Sequence, residues 1–186
     1  ALDAEVRLVL EDRVELPRLY LAWHSPAMFA PGDAEMDLVA DLLANGKSSR
    51  LYTALVYERR IATDVSAMQN SREMAGLCQI VATAMPGQTL AVLFEAVQGE
   101  IDRLLRHGAT PDEMDRGLAQ AEAHFVGRLQ TLGGFGGKSD QLNAYTVFLD
   151  DPGYLSRDLQ RYRTLVDRVR RAEAASRLEL PVVAVD

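Results

Sequence analysis

The chain has 186 residues, of which 48% are apolar and 25% charged, with 13 glycines, 7 prolines and one cysteine. These proportions are ordinary for globular proteins and exclude the collagen-like, disordered and disulfide-rich classes. A chain of this length can bury a sizeable core without metal or disulfides, so we expect a single domain over 1–186. The formal net charge of −7 disfavours nucleic acid as a partner. No apolar run approaches the roughly 20 residues that span a bilayer, so we expect no membrane span.

The first half of the chain alternates between strand and helix patterns. Apolar alternation predicts strands, recurrence at helical spacing predicts helices, and Asn45-Gly46 marks a helix end. The first two strands are expected to pair, and the last two to form a hairpin. The predicted elements are strands at 6–10 and 18–24, a helix around 36–43, a helix from Ser48 or Ser49 to Arg60, and strands at 63–70 and 76–85.

The second half is mainly helical. Thr110 and Glu113 form a predicted capping box with Pro111 at the first helical position, and a cluster of glycines at 133–137 ends the helix that starts there. The chain closes on a β-rich segment that suits a strand returning to the sheet. The predicted elements are helices from Leu90 to His107, from Pro111 to Leu129, at 142–149, from 151 to Val166 and around Ala172, and a strand at 180–185.

This order of elements predicts the fold class. Four or five strands and about six helices, with the helices grouped late, favour an α+β fold over a regular βαβ alternation. We therefore expect a two-layer sandwich in which a mainly antiparallel sheet is covered by helices.

Two Gly-Lys-Ser runs invite a phosphate-binding interpretation, and both fail the spacing test. A P-loop needs glycine five positions before its Gly-Lys-Ser/Thr, following a strand. Asp41 stands at that position before Gly46-Lys47-Ser48, and Leu132 stands there before Gly137-Lys138-Ser139. Glycines that make turns between helices explain these runs better.

No residue pattern indicates catalysis or a metal site in this chain. The three histidines, His24, His107 and His124, include no pair at the i,i+4 spacing that places two imidazoles on one helix face for zinc. Cys78 lies in a predicted buried strand, where a thiol acts as a small hydrophobic group. Acidic residues fall in the first turns of two predicted helices, where the helix dipole accounts for them; they are Asp33, Glu35, Asp37, Asp112, Glu113 and Asp115.

One segment nevertheless resembles a known family. The stretch 42–62, which reads LLANGKSSRLYTALVYERRIA, resembles the second, non-zinc domain of the pitrilysin/insulinase family of zinc metallopeptidases, which includes the mitochondrial processing peptidase. The resemblance extends over nearly the whole chain, through Leu16-Pro17-Arg18, Met85-Pro86-Gly87 and Asp151-Pro152-Gly153. It identifies a structural signature at Gly46, Ser48, Ser49, Arg50 and Leu51.

The resemblance implies an α+β sandwich used in pairs to enclose a substrate chamber. In that family an H-x-x-E-H helix and a distant glutamate hold zinc in the preceding domain, and this chain contains no such motif. The resemblance therefore implies no cofactor in this chain and zinc in the parent protein. Active members carry an arginine and a tyrosine that contact substrate, and Val56 and Thr63 stand at those positions here. We therefore assign no catalytic, metal or substrate-binding residue.

The leading hypothesis is a non-catalytic domain of a longer zinc metalloendopeptidase, which walls the substrate chamber. Its expected partners are an upstream zinc-binding domain or subunit and a peptide substrate. The alternative is a scaffold or assembly subunit of the same fold that has lost proteolysis, and a third possibility is an unrelated enzyme whose residues converge only in the fold. By the same resemblance, we expect a bacterial periplasmic or cell-envelope location.

Overall fold

The computed structural model describes residues 4–177. In chain order the elements are β1 (Arg18–Ser25), α1 (Asp33–Ala44), a π-helix (Tyr52–Glu58), β2 (Ala62–Asn70), β3 (Gly76–Ala84), α2 (Leu90–His107), α3 (Pro111–Gln130), α4 (Lys138–Leu149) and α5 (Leu155–Arg177).

The three strands form an antiparallel sheet in the order β1-β3-β2. Val81 in the central strand faces Tyr20 of β1 and Ser66 of β2. The predicted hairpin of the second and third strands is confirmed, with a register shift between Ala62 and Asp64. Such a bulge bends the strand locally.

The two faces of the sheet differ in their surroundings. Side chains alternate between faces along a strand, and in β3 Cys78, Ile80 and Ala82 are all buried. On the other face Leu77 is 41% exposed, Met68 48% and Tyr20 57%. Helices cover the first face, which confirms the predicted α+β layered fold.

Helix α1 belongs to two apolar clusters. The larger cluster joins the sheet to α1, the π-helix and α2, and its fully buried side chains include Leu51, Leu55 and Leu93. The smaller cluster joins α1 to α3 and α5 through Leu38, Leu42, Met114 and Val166. Because α1 contributes to both clusters, it connects the sheet layer to the late helices.

The predicted strand at 6–10 is wrong, and so is the expected pairing of the first two strands. The structure has no strand at 6–10, and Leu8 is 85% exposed, Val9 85% and Leu10 92%. β1 pairs with β3 instead. Apolar alternation makes a strand only where a neighbouring edge accepts its hydrogen bonds, and this segment has none among the described residues.

Two other expectations concern the end of the chain. The separate helix predicted around Ala172 is wrong, because α5 runs unbroken from Leu155 to Arg177. No glycine or proline interrupts that stretch, so nothing in it ends a helix. The strand predicted at 180–185 lies outside the described residues.

The helix predicted from Ser49 to Arg60 is present, with unusual geometry. After a helical turn at Arg50 and Leu51, residues 52–58 adopt π-helical hydrogen bonding. The N–H of Arg59 donates to the carbonyl of Ala54, five residues earlier, at 3.0 Å. Such widened turns are rare, and periodicity alone does not distinguish them from an α-helix.

Candidate functional site

The signature segment forms the turn between α1 and the π-helix. Gly46 has a φ of +79°, a backbone conformation that favours glycine. The hydroxyl of Ser49, itself buried, donates to the Gly46 carbonyl at 2.7 Å. Ser48 is exposed, whereas Leu51 is fully buried in the larger apolar cluster. These residues fix the geometry of a turn.

Arg50 links this turn to the start of α3. Its Nε and Nη2 donate to the two carboxylate oxygens of Glu113 at 2.6 and 2.7 Å, and Nη2 also donates to the carbonyl of Gly108 at 2.8 Å. Glu113 in turn completes the capping box with Thr110, as the sequence predicts. Burial opposes ionisation of Glu113, but the hydrogen bonds from Arg50 and Thr110 outweigh it and lower its pKa to about 2.

Val56 and Thr63 have only structural contacts. Val56 is partly buried against the larger apolar cluster. Thr63 is exposed, and its hydroxyl donates to the carbonyl of Thr83 at 3.3 Å. Tyr57 lies nearby and is 76% exposed. Neither Val56 nor Thr63 offers a charge or a phenol to a substrate.

A buried group of charged and aromatic residues joins α1, α4 and α5. The guanidinium of Arg161 lies 3.3 Å from Asp33 and 3.1 Å from Asp158. The Tyr145 hydroxyl donates to Asp158 at 2.7 Å, and the ring of Phe29 lies 5.2 Å from the Arg161 guanidinium carbon. The helix-dipole interpretation of Asp33 therefore missed a buried ion pair, because its partner lies 128 residues away.

A groove of about 480 Å³ lies between α1, β2, α3 and α5. It combines polar side chains with an apolar wall, the usual composition of ligand-binding sites. Six of the residues that line it are Asp37, Asp41, Gln69, His124, Phe125 and Tyr162.

Two carboxylates lie one helical turn apart in this groove. Burial raises the pKa of Asp37 to about 6, partly offset by the Tyr162 hydroxyl, which donates to its Oδ2 at 2.6 Å. Burial also raises the pKa of Asp41, whose Oδ1 accepts a hydrogen bond from Asn45 at 2.8 Å. Gln69 lines the groove, and its amide nitrogen and oxygen are buried without a hydrogen-bond partner. Sequence spacing could show that Asp37 and Asp41 share a helix face, but not that this face borders a groove.

The described residues do not fit a zinc ion. His24 is in β1, His107 ends α2 and His124 is in α3, and across 4–177 no group of three or more His, Cys, Asp or Glu could hold a metal. Burial raises the pKa of the Cys78 thiol, which keeps it protonated. Within the same residues, no helix is long and apolar enough to cross a membrane.

Comparisons with known proteins identify the family of this chain. A family model described as the peptidase M16 inactive domain matches residues 3–121. The zinc protease PqqE of Helicobacter pylori is 23% identical over 128 residues, which are 69% of this chain and 29% of that protein. The chain therefore spans about three-tenths of this curated relative.

Solved structures show the same fold. A protease from Helicobacter pylori superposes with a TM-score of 0.70 and 23% identity, covering 82% of this chain and 36% of that one. The peptidase M16 inactive domain from Pseudomonas fluorescens superposes with a TM-score of 0.64 and 19% identity, covering 79% of this chain and 34% of that one.

The family match covers more than half of the chain, and it confirms the resemblance to the non-zinc domain of the pitrilysin/insulinase metallopeptidases. The chain belongs to the peptidase M16 inactive domain family.

Proposed function

We propose that this chain is the non-catalytic domain of a longer zinc-dependent metalloendopeptidase, in which it forms part of the wall of the chamber that holds a peptide substrate. In this proposal zinc and the general base belong to a preceding domain, and 1–186 is one domain of the parent protein.

The two-sided character of the sheet is the observation that supports this role best. One face is largely covered by helices, whereas the other exposes Tyr20, Leu77 and Met68 between polar residues. A sheet face with this mixture suits contact with a neighbouring domain and with an enclosed peptide, since interfaces combine apolar groups with a polar surround.

The relatives support the same role. The curated relative is named a zinc protease and is more than three times as long as the part that this chain matches. No set of described residues in this chain supplies a metal site. In this proposal the metal-binding residues come from elsewhere in the parent protein.

The proposal is tested with three preparations of the parent protein: the zinc-binding domain alone, that domain mixed with this chain, and the intact protein. We expect peptide cleavage by the intact protein, little by the zinc-binding domain alone, and recovery when this chain is added. Full activity of the zinc-binding domain alone would contradict a role in forming the chamber. A parent protein that neither binds zinc nor cleaves peptides would favour the alternative of an assembly subunit.

A further inference from the structure

The groove between α1, β2, α3 and α5 contains two neighbouring carboxylates that have no cationic side chain in direct contact among the described residues. Asp37 and Asp41 are at i and i+4 on α1, a spacing at which like charges repel. Both are partly buried, which raises the cost of their charges. Neither forms an ion pair with a lysine, arginine or histidine of the described residues.

Each carboxylate is nevertheless held in place. The Tyr162 hydroxyl donates to Oδ2 of Asp37, and the Asn45 amide donates to Oδ1 of Asp41. One oxygen of each aspartate is thereby fixed, and the other has no hydrogen bond from a described side chain. Two oriented carboxylates with free acceptor positions suit a cationic ligand with several donors.

The remaining wall suits an apolar stem. Ala40, Ala67 and Phe125 line the groove, and Ala40 and Phe125 are buried. Beside them the Gln69 amide is buried without a hydrogen-bond partner, so one donor group and one acceptor are left unpaired in the wall of the groove. Lysine and arginine side chains combine a charged head with an apolar stem.

We propose that this groove binds a lysine or arginine side chain of a peptide, with the charged head between Asp37 and Asp41 and the stem against Phe125. This binding site rests on the proposed function, and it adds the class of substrate side chain that the domain binds. It does not depend on cleavage, because binding to the groove is measurable with this chain alone.

Other charged groups near the carboxylates set the pH range for binding. The charge of Arg161, on α5, lowers the pKa of Asp37, and the charge of Asp33, on α1, raises it. The charge of His124, on α3, lowers the pKa of Asp41. Arg128, also on α3, is exposed at the groove and lies 5.8 Å from the centre of the Phe125 ring. Its donors match the carbonyl groups of a bound peptide. Since Asp37 has a pKa of about 6, binding weakens below that pH as the carboxylate becomes neutral.

The test is a titration of the purified chain, treated with EDTA, with three blocked tripeptides. These are acetyl-Ala-X-Ala-amide with arginine, lysine or citrulline as X, and binding is followed by calorimetry and by amide NMR shifts. Citrulline keeps the shape of arginine and removes its charge. We expect the arginine and lysine peptides to bind about tenfold more tightly than the citrulline peptide, the size typical of losing a charge-assisted hydrogen bond.

Variants locate the site. We expect Asp37→Asn and Asp41→Asn each to weaken arginine-peptide binding several-fold. In the unsubstituted chain, we expect the arginine peptide to shift the amide NMR signals of Gln69 and Phe125. Asp64→Asn is the matched control, since Asp64 is exposed on β2 and does not line the groove. Equal binding of the citrulline peptide, no binding at millimolar concentration, or loss of affinity in Asp64→Asn alone would overturn the proposal. Binding that appeared only after a divalent metal was added back to the EDTA-treated chain would also overturn it.

Discussion

Arg50 and Glu113, 63 residues apart, form a two-point contact in which Nε donates to Oε1 at 2.6 Å and Nη2 donates to Oε2 at 2.7 Å. The contact fastens the turn after α1 to the first turn of α3. Because only 11% of the Arg50 side chain and 14% of the Glu113 side chain is exposed, solvent screens the pair weakly.

We expect Arg50→Ala to lower the free energy of unfolding by about 1–3 kcal/mol at pH 7, because it leaves Glu113 partly buried without its main partner. The measurement is urea denaturation. Arg103→Ala is the control, since that arginine is 61% exposed in its pair with Glu100 and such surface pairs contribute at most about 1 kcal/mol. Equal effects of the two substitutions would show that the Arg50 contact is not structural.

The same contact predicts a dependence on pH. The pKa of Glu113 is lowered from 4.5 to about 2, so its contribution is fully present above pH 4.5 and is lost as the pH falls towards 2. The difference in unfolding free energy between the unsubstituted chain and Arg50→Ala should therefore shrink as the pH falls from 4.5 to 2. A difference that stayed constant down to pH 2 would contradict the assignment.

The contribution of Asp37 to stability changes with pH in the opposite direction to that of Glu113. Burial raises its pKa to about 6, so the native state binds the proton more tightly than the unfolded state and stability falls as the pH rises from about 4 to 6. We expect Asp37→Asn to remove this slope and to raise stability at pH 7 by about 1–2 kcal/mol. Thermal melts of both chains from pH 4 to 8 provide the measurement, and a variant that was less stable at pH 7 would refute it.

Removing the buried hydroxyl of Tyr145 should destabilise the contact between α4 and α5. The hydroxyl donates to Asp158, which is 3% exposed, so Tyr145→Phe deprives a buried carboxylate of one of its partners. We expect a loss of about 1–3 kcal/mol. Tyr57→Phe, at a tyrosine that is 76% exposed, serves as the control and should change stability by no more than about 0.5 kcal/mol.

Gly137, just before α4, and Gly99, within α2, differ in the space that they leave for a side chain. A Cβ at Gly137 would lie 2.7 Å from the Gly133 carbonyl oxygen and 2.8 Å from that of Thr131, so we expect Gly137→Ala to destabilise the chain. A Cβ at Gly99 in α2 meets nothing within 4 Å, and Gly99→Ala should stabilise by about 0.5–1 kcal/mol. Thermal shifts of the same sign in both variants would contradict this.

Sequence patterns correctly predicted the elements that depend on contacts between residues close in sequence. The capping box of Thr110 and Glu113 and the hairpin of β2 and β3 are examples, since each depends on residues close in sequence. The segment at 6–10 has the pattern of a strand, but strand formation depends on a partner edge that the pattern does not include.

The groove and the buried ion pairs depend on contacts between distant segments. Asp33 meets Arg161 across 128 residues, and Asp37 meets Tyr162 across 125. The helix-dipole interpretation placed both carboxylates in a helix first turn, but only Asp33 lies in the first turn of α1, and Asp37 lies beyond it. The sequence positions of the two carboxylates carried no information about these distant partners. The family resemblance identified the fold and its non-catalytic type, and it contained no information about this groove.

The most direct test of the central claim is to measure zinc content and peptide hydrolysis by this purified chain alone. We expect no stoichiometric zinc and no cleavage, because no group of three or more His, Cys, Asp or Glu residues within 4–177 could hold a metal. Stoichiometric zinc together with cleavage would contradict the claim, and would mean that the chain supplies its own catalytic centre.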